Sequence, residues 1–300
     1  MNRPVLCTPL HVEQAVLRRA GRSMRLVRTG MGPGRTSATA AALLVGTAPI
    51  LVAGVGGGLA PQVRPGDVVV ASEVRDGDRG SAAYGSSVGV PSAPLLAGAL
   101  RRLGLTVHLG PVSSVSRIAW APAADGSLAV DMESARLAAP DVPFAVVRAI
   151  VDTTDHPLWH VGTLRRGVTA LRALRACQPA LEWWAAATGP REVLLAEPRA
   201  IAGRVDLMLV VGSAHSSHSL RLMEVAEREG VPARLVDDVS EIDLRWLAGT
   251  RRLGITAGAC APQHLVEQIV HCLGGLGTVG VSQSRLVDEN LTLTLPREVI

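Results

Sequence analysis

Short apolar segments bounded by glycine, proline or polar residues recur along the whole chain, and segments with helical spacing separate them. Continuous apolar runs of this length are typical of buried strands. In the first half they include 50–54 and 67–71, and the segments 35–44 and 94–103 have the spacing of helices. Strands that alternate with helices predict an α/β fold with a mainly parallel sheet.

The same alternation continues after a predicted break. A long amphipathic helix is predicted over 164–184, and Thr188-Gly189-Pro190 then provides a helix stop and a linker. A second series begins with the buried strand 205–211, which leads into a small polar loop and the helix 220–229. The segment 76–91, rich in Gly and Ser, is predicted as a loop. We expect two α/β domains.

Two apolar runs lead directly into carboxylates. One ends at Asp131 and is followed by Glu133, and the other ends at Asp152. A carboxylate at the mouth of a buried strand is costly unless it is paired or used. Asp131 could simply cap the helix that follows it. Capping would explain the residue type at Asp152, but not why this run and the earlier motif both end in carboxylates. The two motifs together therefore predict a functional site.

Composition narrows the class of protein. The apolar fraction of 48% contains one Phe and one Tyr, so the cores are aliphatic, which suits parallel sheets covered by helices. The sequence has no lysine and its positive charge is arginine, which excludes lysine Schiff-base chemistry and a lysine-bearing phosphate loop. The net charge of +4 is spread out, and few aromatic side chains are available to stack bases, so no nucleic-acid partner is expected.

The cysteines and the lengths of the apolar runs indicate the cellular compartment. The four cysteines form no Cys-x-x-Cys pair and have no zinc spacing, so reduced thiols and no metal site are expected. The first residues lack the pattern of a signal peptide, and no uninterrupted apolar run reaches membrane-spanning length. We expect a cytoplasmic protein without a membrane span.

Four segments, in order, resemble the purine nucleoside phosphorylase and nucleosidase superfamily. The likeness is strongest to methylthioadenosine/S-adenosylhomocysteine nucleosidases and hopanoid-associated phosphorylases. The segments are 7–13, the glycine loop 29–34, the glycine loop 52–59 with the strand after it, and the Asp-Met-Glu and Val-Arg-x-x-x-Asp motifs. The resemblance covers roughly 3–188 and implies a three-layer domain at 1–188 with a central, mostly parallel sheet. It also implies a homodimer.

The resemblance implies a role for each matching residue. Asp152 would protonate N7 of the leaving purine, and Glu133 would accept hydrogen bonds from the ribose hydroxyls, with Met132 packing on the sugar. Glu13 would orient and activate the attacking water. Glycines in the two loops would let the backbone approach the nucleoside substrate closely, namely Gly30, Gly32, Gly56 and Gly57.

The resemblance leaves the nucleophile and the substrate's 5′ group open. Phosphorylases of this superfamily hold phosphate with arginines near the glycine loops; Arg35 follows the first loop, but the second carries none. Glu13 favours hydrolysis over phosphorolysis. Val55 stands where several nucleosidases have a small polar residue. We expect cleavage of a 5′-substituted adenine nucleoside, either adenosylhopane-like or like methylthioadenosine and S-adenosylhomocysteine.

The C-terminal part resembles a different family, 4-hydroxy-3-methylbut-2-enyl diphosphate reductase (LytB/IspH). The matching segments are 193–199, 206–213, 216–219, 235–238, 242–247, 254–259 and the tail 289–296. After Arg199 the chain passes directly to the family's last domain, so 189–200 is a linker with a remnant first strand and 201–300 is a small α/β domain. The family's iron–sulfur cluster needs three thiolates, and none of the four cysteines matches them. We therefore expect no cofactor and no reductase activity.

The loops of this second domain suggest an anion site. Ser216 and Ser217 match the family's diphosphate pocket, while His218 and Cys260 replace its Asn and Ser. Loops that open helices present free backbone N–H groups to anions, although such residues also simply cap helices. Two alternatives to the nucleosidase function stay open: a reductase-related protein of isoprenoid biosynthesis, and a non-catalytic module that binds an isoprenoid diphosphate.

Overall fold

Two β-sheets organise the chain, one of eight strands and one of five. The computed structural model describes residues 3–44, 46–77, 87–116, 126–139, 141–155, 162–258 and 261–283. We call the part that carries the first sheet the N-terminal unit and the part that carries the second sheet the C-terminal unit. Among the described residues, no helix is both long enough and apolar enough to cross a membrane.

The first sheet is mixed but mostly parallel. Its strands are β1 (Val5–Thr8), β2 (Arg25–Arg28), β3 (Ile50–Gly58), β4 (Val68–Asp76), β5 (Ser87–Gly89), β6 (Val107–Ser114), β7 (Ala129–Asp131) and β8 (Phe144–Thr153). The order is β2-β1-β3-β7-β6-β4-β5, and β8 pairs with both β3 and β4. The strands β3, β8, β4, β6 and β7 therefore close into a ring, which the sequence pattern did not predict.

Helices surround this ring. They are α1 (His11–Val16), α2 (Pro33–Leu44), α3 (Ala93–Arg102), the short α4 (Ser134–Leu137) and the long α5 (Thr163–Ala187). The strands have the character that the aliphatic composition predicted, because almost every residue of β3 and β8 is buried. Such runs suit strands that are covered on both faces.

The C-terminal unit has a purely parallel sheet. Its strands are β9 (Arg191–Leu195), β10 (Leu207–Val211), β11 (Ala233–Val236), β12 (Arg252–Ala257) and β13 (Val279–Gln283), in the order β11-β10-β12-β9-β13. Its helices are α6 (Pro198–Ile201), α7 (Ser217–Arg228), α8 (Leu244–Leu247) and α9 (Gln263–Gly274). The predicted α/β fold class is confirmed in both units.

One local prediction is wrong at its ends. The segment 76–91 was expected to be a loop, but β4 continues through Asp76, and β5 pairs antiparallel with it through Glu73 and Gly89. Backbone pairing along the edge of β4 makes a strand from polar residues that have no apolar pattern. Residues 78–86 lie outside the described part of the chain.

The two units share one continuous hydrophobic core. Helices α3 and α5 of the N-terminal unit pack against α8, α9 and the 3-10 turn Val239–Glu241 of the C-terminal unit. At Gly98 the helix α3 approaches so closely that a Cβ atom would overlap the Ser240 carbonyl oxygen. Beside it, Arg102 donates hydrogen bonds to the carbonyls of Ser240 at 2.9 Å and Ile242 at 3.1 Å. The contact is therefore a packed interface.

Candidate active site

Three carboxylates and one arginine meet near the carboxyl ends of β7 and β8. Asp131 is the last residue of β7, and Glu133 follows it by two positions. Arg148 lies within β8, and Glu13 lies on α1, directly after β1. All four side chains are buried. Buried charges are stable when they are paired and hydrogen-bonded, so the pairing among these groups decides their charge states.

Asp131 is the principal counter-ion of Arg148. One Asp131 oxygen lies 2.7 Å from Nη2 of Arg148 and accepts a hydrogen bond from Nε at 2.8 Å. The hydroxyls of Ser114 and Ser134 also donate to this carboxylate. Burial by itself would raise the pKa of Asp131, but the Arg148 charge and these hydrogen bonds outweigh it and lower the pKa. Asp131 is therefore ionised at neutral pH.

Glu133 is held more weakly. Its Oε2 atom lies 3.3 Å from Nη2 of Arg148, and its Oε1 atom accepts a long hydrogen bond of 3.5 Å from the Gly32 backbone N–H. Burial raises the pKa of Glu133 to about 7, with Arg148 opposing the rise and Asp131 adding to it. A carboxylate with few strong donors of its own retains the capacity to accept hydrogen bonds from a bound ligand.

Glu13 links α1 to the glycine-rich end of β3. Its two carboxylate oxygens accept hydrogen bonds of 2.7 Å from the backbone N–H groups of Leu10 and Val55. Burial nevertheless raises its pKa. Glu13 Oε1 and Arg148 Nη1 each lie 2.8 Å from the point where a Cβ atom on Gly54 would sit, so both face the same small space. Among the described residues, this Arg148 nitrogen is buried without a hydrogen-bond partner.

Asp152 lies near the end of β8 and pairs in register with Gly57 of β3. Its two carboxylate oxygens are 3.5 and 3.6 Å from the position of a Cβ atom on Gly57, so the glycine leaves space beside the carboxyl group. Burial raises the pKa of Asp152 to about 6, although the Arg166 charge opposes the rise. A carboxyl group in this state can donate a proton near neutral pH.

The two predicted glycine loops differ in structure. Gly30 and Gly32 form a true loop between β2 and α2, with φ angles of 76° and 89° that favour glycine. A Cβ atom on Gly32 would lie 3.9 Å from Cε of Met132, which places this methionine beside the loop. Gly56 and Gly57, in contrast, lie inside strand β3, so the prediction of a second loop is wrong. They are strand glycines that make room for neighbouring side chains.

In the C-terminal unit, the predicted diphosphate residues lie at the start of α7. Ser216 is the N-cap, and its hydroxyl accepts a hydrogen bond of 3.3 Å from the Ser219 backbone N–H. Ser217 and His218 begin the helix. Gly258 follows β12 and lies beside this turn, because its Cβ position is 3.7 Å from Cδ2 of His218. Cys260 lies outside the described residues.

Sequence reasoning did not assign the residue at the centre of the site, Arg148. Its signal was nonetheless visible, because an arginine interrupts the apolar run of β8. Ser114, which donates to Asp131, gave no signal in the sequence. Its position at the end of β6, in register with Asp131, becomes apparent once the strands are paired.

Fold and site together define an α/β protein with a carboxylate–arginine centre at its strand ends. Residues 8–177 match the family model described as the phosphorylase superfamily. The chain therefore belongs to the phosphorylase superfamily. Its fold is similar to that of a mutant Helicobacter pylori methylthioadenosine nucleosidase (MTAN), crystallised with 5′-methylthioadenosine in the active site. The two are 13% identical, with a TM-score of 0.51, and the match covers 61% of this chain and 99% of that one.

The C-terminal part is similar to a second family. Residues 192–274 match the family model of the LytB protein. The chain is 42% identical over 137 residues to the 4-hydroxy-3-methylbut-2-enyl diphosphate reductase of Xanthomonas axonopodis, covering 43% of this chain and 42% of the relative. It is 48% identical over 101 residues to the enzyme of Stenotrophomonas maltophilia, covering 34% of this chain and 32% of the relative. The chain thus spans less than half the length of these curated relatives.

The described cysteines do not fit an iron–sulfur cluster. Cys7 and Cys177 are buried in β1 and α5 of the N-terminal unit, and Cys272 is buried in α9 of the C-terminal unit. Burial raises the pKa of the Cys7 and Cys177 thiols to about 12, which opposes the thiolate form that such clusters require. We derive no chemical step through a cluster.

Proposed function

We propose that the N-terminal unit cleaves the N-glycosidic bond of a 5′-substituted adenine nucleoside by hydrolysis. The observation that carries the proposal is that the buried carboxyl groups differ in protonation state. Asp152 has a pKa of about 6 and can hold a proton, while Asp131 is ionised and holds Arg148. Pairs of acidic groups with separated pKa values are typical of acid and base roles in one site.

Departure of the purine needs a proton, because the base would otherwise leave as an anion. Asp152 supplies it to N7 of the purine. The strand partner Gly57 leaves the Asp152 carboxyl group open on one side, where the edge of a purine can approach. With a pKa of about 6, about a tenth of Asp152 is protonated at pH 7.

The ribose becomes cationic as the bond breaks and has to be held in place. Glu133 accepts hydrogen bonds from the ribose 2′ and 3′ hydroxyls, replacing its weak contact with the Gly32 N–H. Met132, beside the same loop, packs against the sugar. The Arg148 charge keeps part of Glu133 ionised despite its burial, which the role of acceptor requires.

The attacking water is activated by Glu13. Glu13 Oε1 accepts the water's proton, and Arg148 Nη1 donates a hydrogen bond to its oxygen, because both atoms face the space beside Gly54. Two backbone N–H groups fix the Glu13 carboxylate, so its direction is preorganised. This acceptor–donor pair supports water as the nucleophile. The 5′ substituent is like that of adenosylhopane, methylthioadenosine or S-adenosylhomocysteine.

The test measures adenine release by chromatography from adenosine, methylthioadenosine, S-adenosylhomocysteine and an adenosyl-terpenoid, with and without phosphate. We expect release that does not need phosphate. Asp152→Asn should lower turnover by about 10²- to 10⁴-fold, the usual contribution of a general acid. The exposed Asp155→Asn is the matched control and should keep full turnover. A folded Asp152→Asn protein with unchanged turnover would remove the assignment, and no release from any substrate would contradict the proposed function.

For the C-terminal unit, we propose diphosphate binding without reduction. Support comes from the turn of Ser216, Ser217 and His218 at the start of α7, which lies against Gly258 at the end of the neighbouring strand β12. Calorimetric titration with pyrophosphate should give saturable heat that the Ser216→Ala/Ser217→Ala double variant loses. The exposed Ser282→Ala on β13 is the control. Absence of heat at millimolar pyrophosphate would exclude the site.

A further inference from the structure

A cleft of about 600 Å³ opens at the seam between the two units, away from both sites described above. Its N-terminal wall comes from α3, from residues within β4 and β6, and from the end of β5 with the segment that follows it, and it includes Pro94, Arg101 and Leu109. Its C-terminal wall comes from α9 and the turn before α8. Clefts of this size between domains are common sites for small ligands.

The two walls are fixed relative to each other. Gly98 packs against the Ser240 carbonyl on one side of the cleft, and Gly275 packs against the backbone of Ser92 on the other. Arg102 adds hydrogen bonds to the C-terminal wall. Because these contacts are backbone approaches, the cleft is formed before any ligand arrives. A preformed cleft reduces the ordering cost of binding.

The floor of the cleft is apolar. Val90, Val239 and Cys272 lie there with exposures of 2%, 6% and 5%, together with the partly buried Leu109 and Pro94. The lining contains no Phe, Tyr or Trp side chain, and the imidazole of His271 is the one ring that it offers for stacking. Among the described residues, no group of three or more His, Cys, Asp or Glu could hold a metal ion. These features favour an aliphatic ligand over a nucleobase or a metal.

The rim of the cleft provides one available cation. Arg101 makes a single hydrogen bond, to the Val107 carbonyl at 3.2 Å, and forms no ion pair among the described residues. Asp238, a second charged residue, also lines the cleft; its carboxylate accepts the Ser240 backbone N–H at 2.7 Å and forms no ion pair with Arg101. Gln268 and His271 complete the rim from α9. Arg101 is therefore the cation of this rim with which an anionic group of a ligand can pair.

We propose that this cleft binds an amphipathic organic anion. Its aliphatic tail lies along the apolar floor, against Val90 and Leu109, and its single carboxylate or phosphate lies at Arg101. A fatty acid and a prenyl phosphate share this chemistry. Each methylene group that is buried adds to the affinity, so the length of the aliphatic tail rather than the head group dominates the affinity. Because the ligand contacts both units, its binding stabilises the folded chain as a whole.

The experiment uses the full chain with dodecanoate and farnesyl monophosphate as probes, in calorimetric titration and thermal unfolding. Dodecanol has the aliphatic tail without the charge, and inorganic phosphate has the charge without the tail. We expect saturable binding of at least one anionic probe and a raised melting temperature. Dodecanol should bind about tenfold more weakly than dodecanoate, and phosphate alone should not bind. The anionic probe that binds more tightly shows whether the ligand is a fatty acid or a prenyl phosphate.

Two variants locate the binding. Arg101→Gln removes the cation and should weaken binding of the anionic probe about tenfold. Gln268→Trp fills the rim and should abolish it, whereas Glu267→Trp, exposed on α9 outside the lining, should not. Arg175→Gln, exposed on α5, is the control for loss of an arginine. Unchanged binding in both cleft variants, equal binding of dodecanol and dodecanoate, or no binding of either anionic probe would overturn the proposal.

Discussion

Asp131 and Asp152 are the same residue type and lie on two strands that both pair with β3, yet their surroundings drive their pKa values in opposite directions. Arg148 and two serine hydroxyls lower the pKa of Asp131, whereas burial without such donors raises that of Asp152 to about 6. The difference follows from hydrogen-bond donors rather than from depth alone. Arg148 thereby keeps Asp131 charged, whereas burial, opposed by the Arg166 charge, favours the protonated form of Asp152.

The pH dependence of turnover follows from the state of Asp152. Because Asp152 has to be protonated, with a pKa of about 6, and Glu133 has to be ionised, with a pKa of about 7, kcat/KM should fall about tenfold per pH unit above about pH 7. The measurement is kcat/KM between pH 5 and 9. Asp152→Asn should lose this descending limb, and Asp155→Asn should retain it. The same limb in the Asp152→Asn protein would assign the proton to another group.

At this scale, sequence reasoning located the carboxylates but not their interactions. Apolar runs that end in Asp131 and Asp152 are visible in one dimension, as is the cost of leaving them unpaired. That Glu13 binds the Val55 N–H, 42 positions along the chain, depends on the pairing of β1 with β3. Their roles in catalysis stay a prediction until turnover is measured.

Strand β3 shows how an element can be misread. Its Ile50–Gly58 sequence ends in closely spaced glycines, which in isolation favour a loop. In the fold these residues pair with β8 and β7, and the missing side chains accommodate Arg148 and Val130. Glycine is therefore a packing requirement here. Long buried strands were predictable from apolar runs, while short edge strands such as β5 and β13 were not, because they are mostly exposed.

A single added methyl group on β3 tests this interpretation. In Gly57→Ala, the new Cβ would lie 3.0 Å from Cγ1 of Val130 and beside the Asp152 oxygens. Overpacking of this kind costs about 1–3 kcal/mol, so the protein should fold with a lowered melting temperature. We expect kcat/KM to fall at least about tenfold, because the methyl group occupies the open side of Asp152.

The comparison for this variant is another strand glycine. Gly280→Ala on β13 adds a methyl group that meets no atom within 4 Å, so it should change neither the melting temperature nor kcat/KM. A Gly57→Ala protein with full activity would show that the space beside Asp152 is not used by the substrate.

For the whole molecule, the two α/β units were predictable from the break in helical spacing and from the two resemblances. Their joint core was not, because an apolar face in the sequence does not reveal what covers it. Trp183 of α5 illustrates this point: the Arg245 guanidinium of the C-terminal unit lies 4.9 Å from the centre of its ring. Such contacts depend on the relative placement of two sheets that share no strand.

A shared core predicts that both units unfold together. Calorimetry of the full chain should show a single transition. Arg102→Met, which keeps the aliphatic stem but removes the hydrogen bonds to Ser240 and Ile242, should lower its midpoint by a few degrees, since hydrogen bonds from a charged group contribute about 1.5–3 kcal/mol. Arg175→Met should leave the midpoint unchanged. Two separate transitions, with Arg102→Met shifting neither, would contradict the prediction.

The close approach at Gly98 also limits how the N-terminal and C-terminal units can be joined in one chain. A helix with any side chain at this position would hold the neighbouring carbonyl farther away and open the seam. Joining the same two families through a linker alone would therefore produce tethered, independently moving domains. In this chain a hydrogen atom in place of a methyl group at residue 98 lets the two units approach closely enough to pack as a single body.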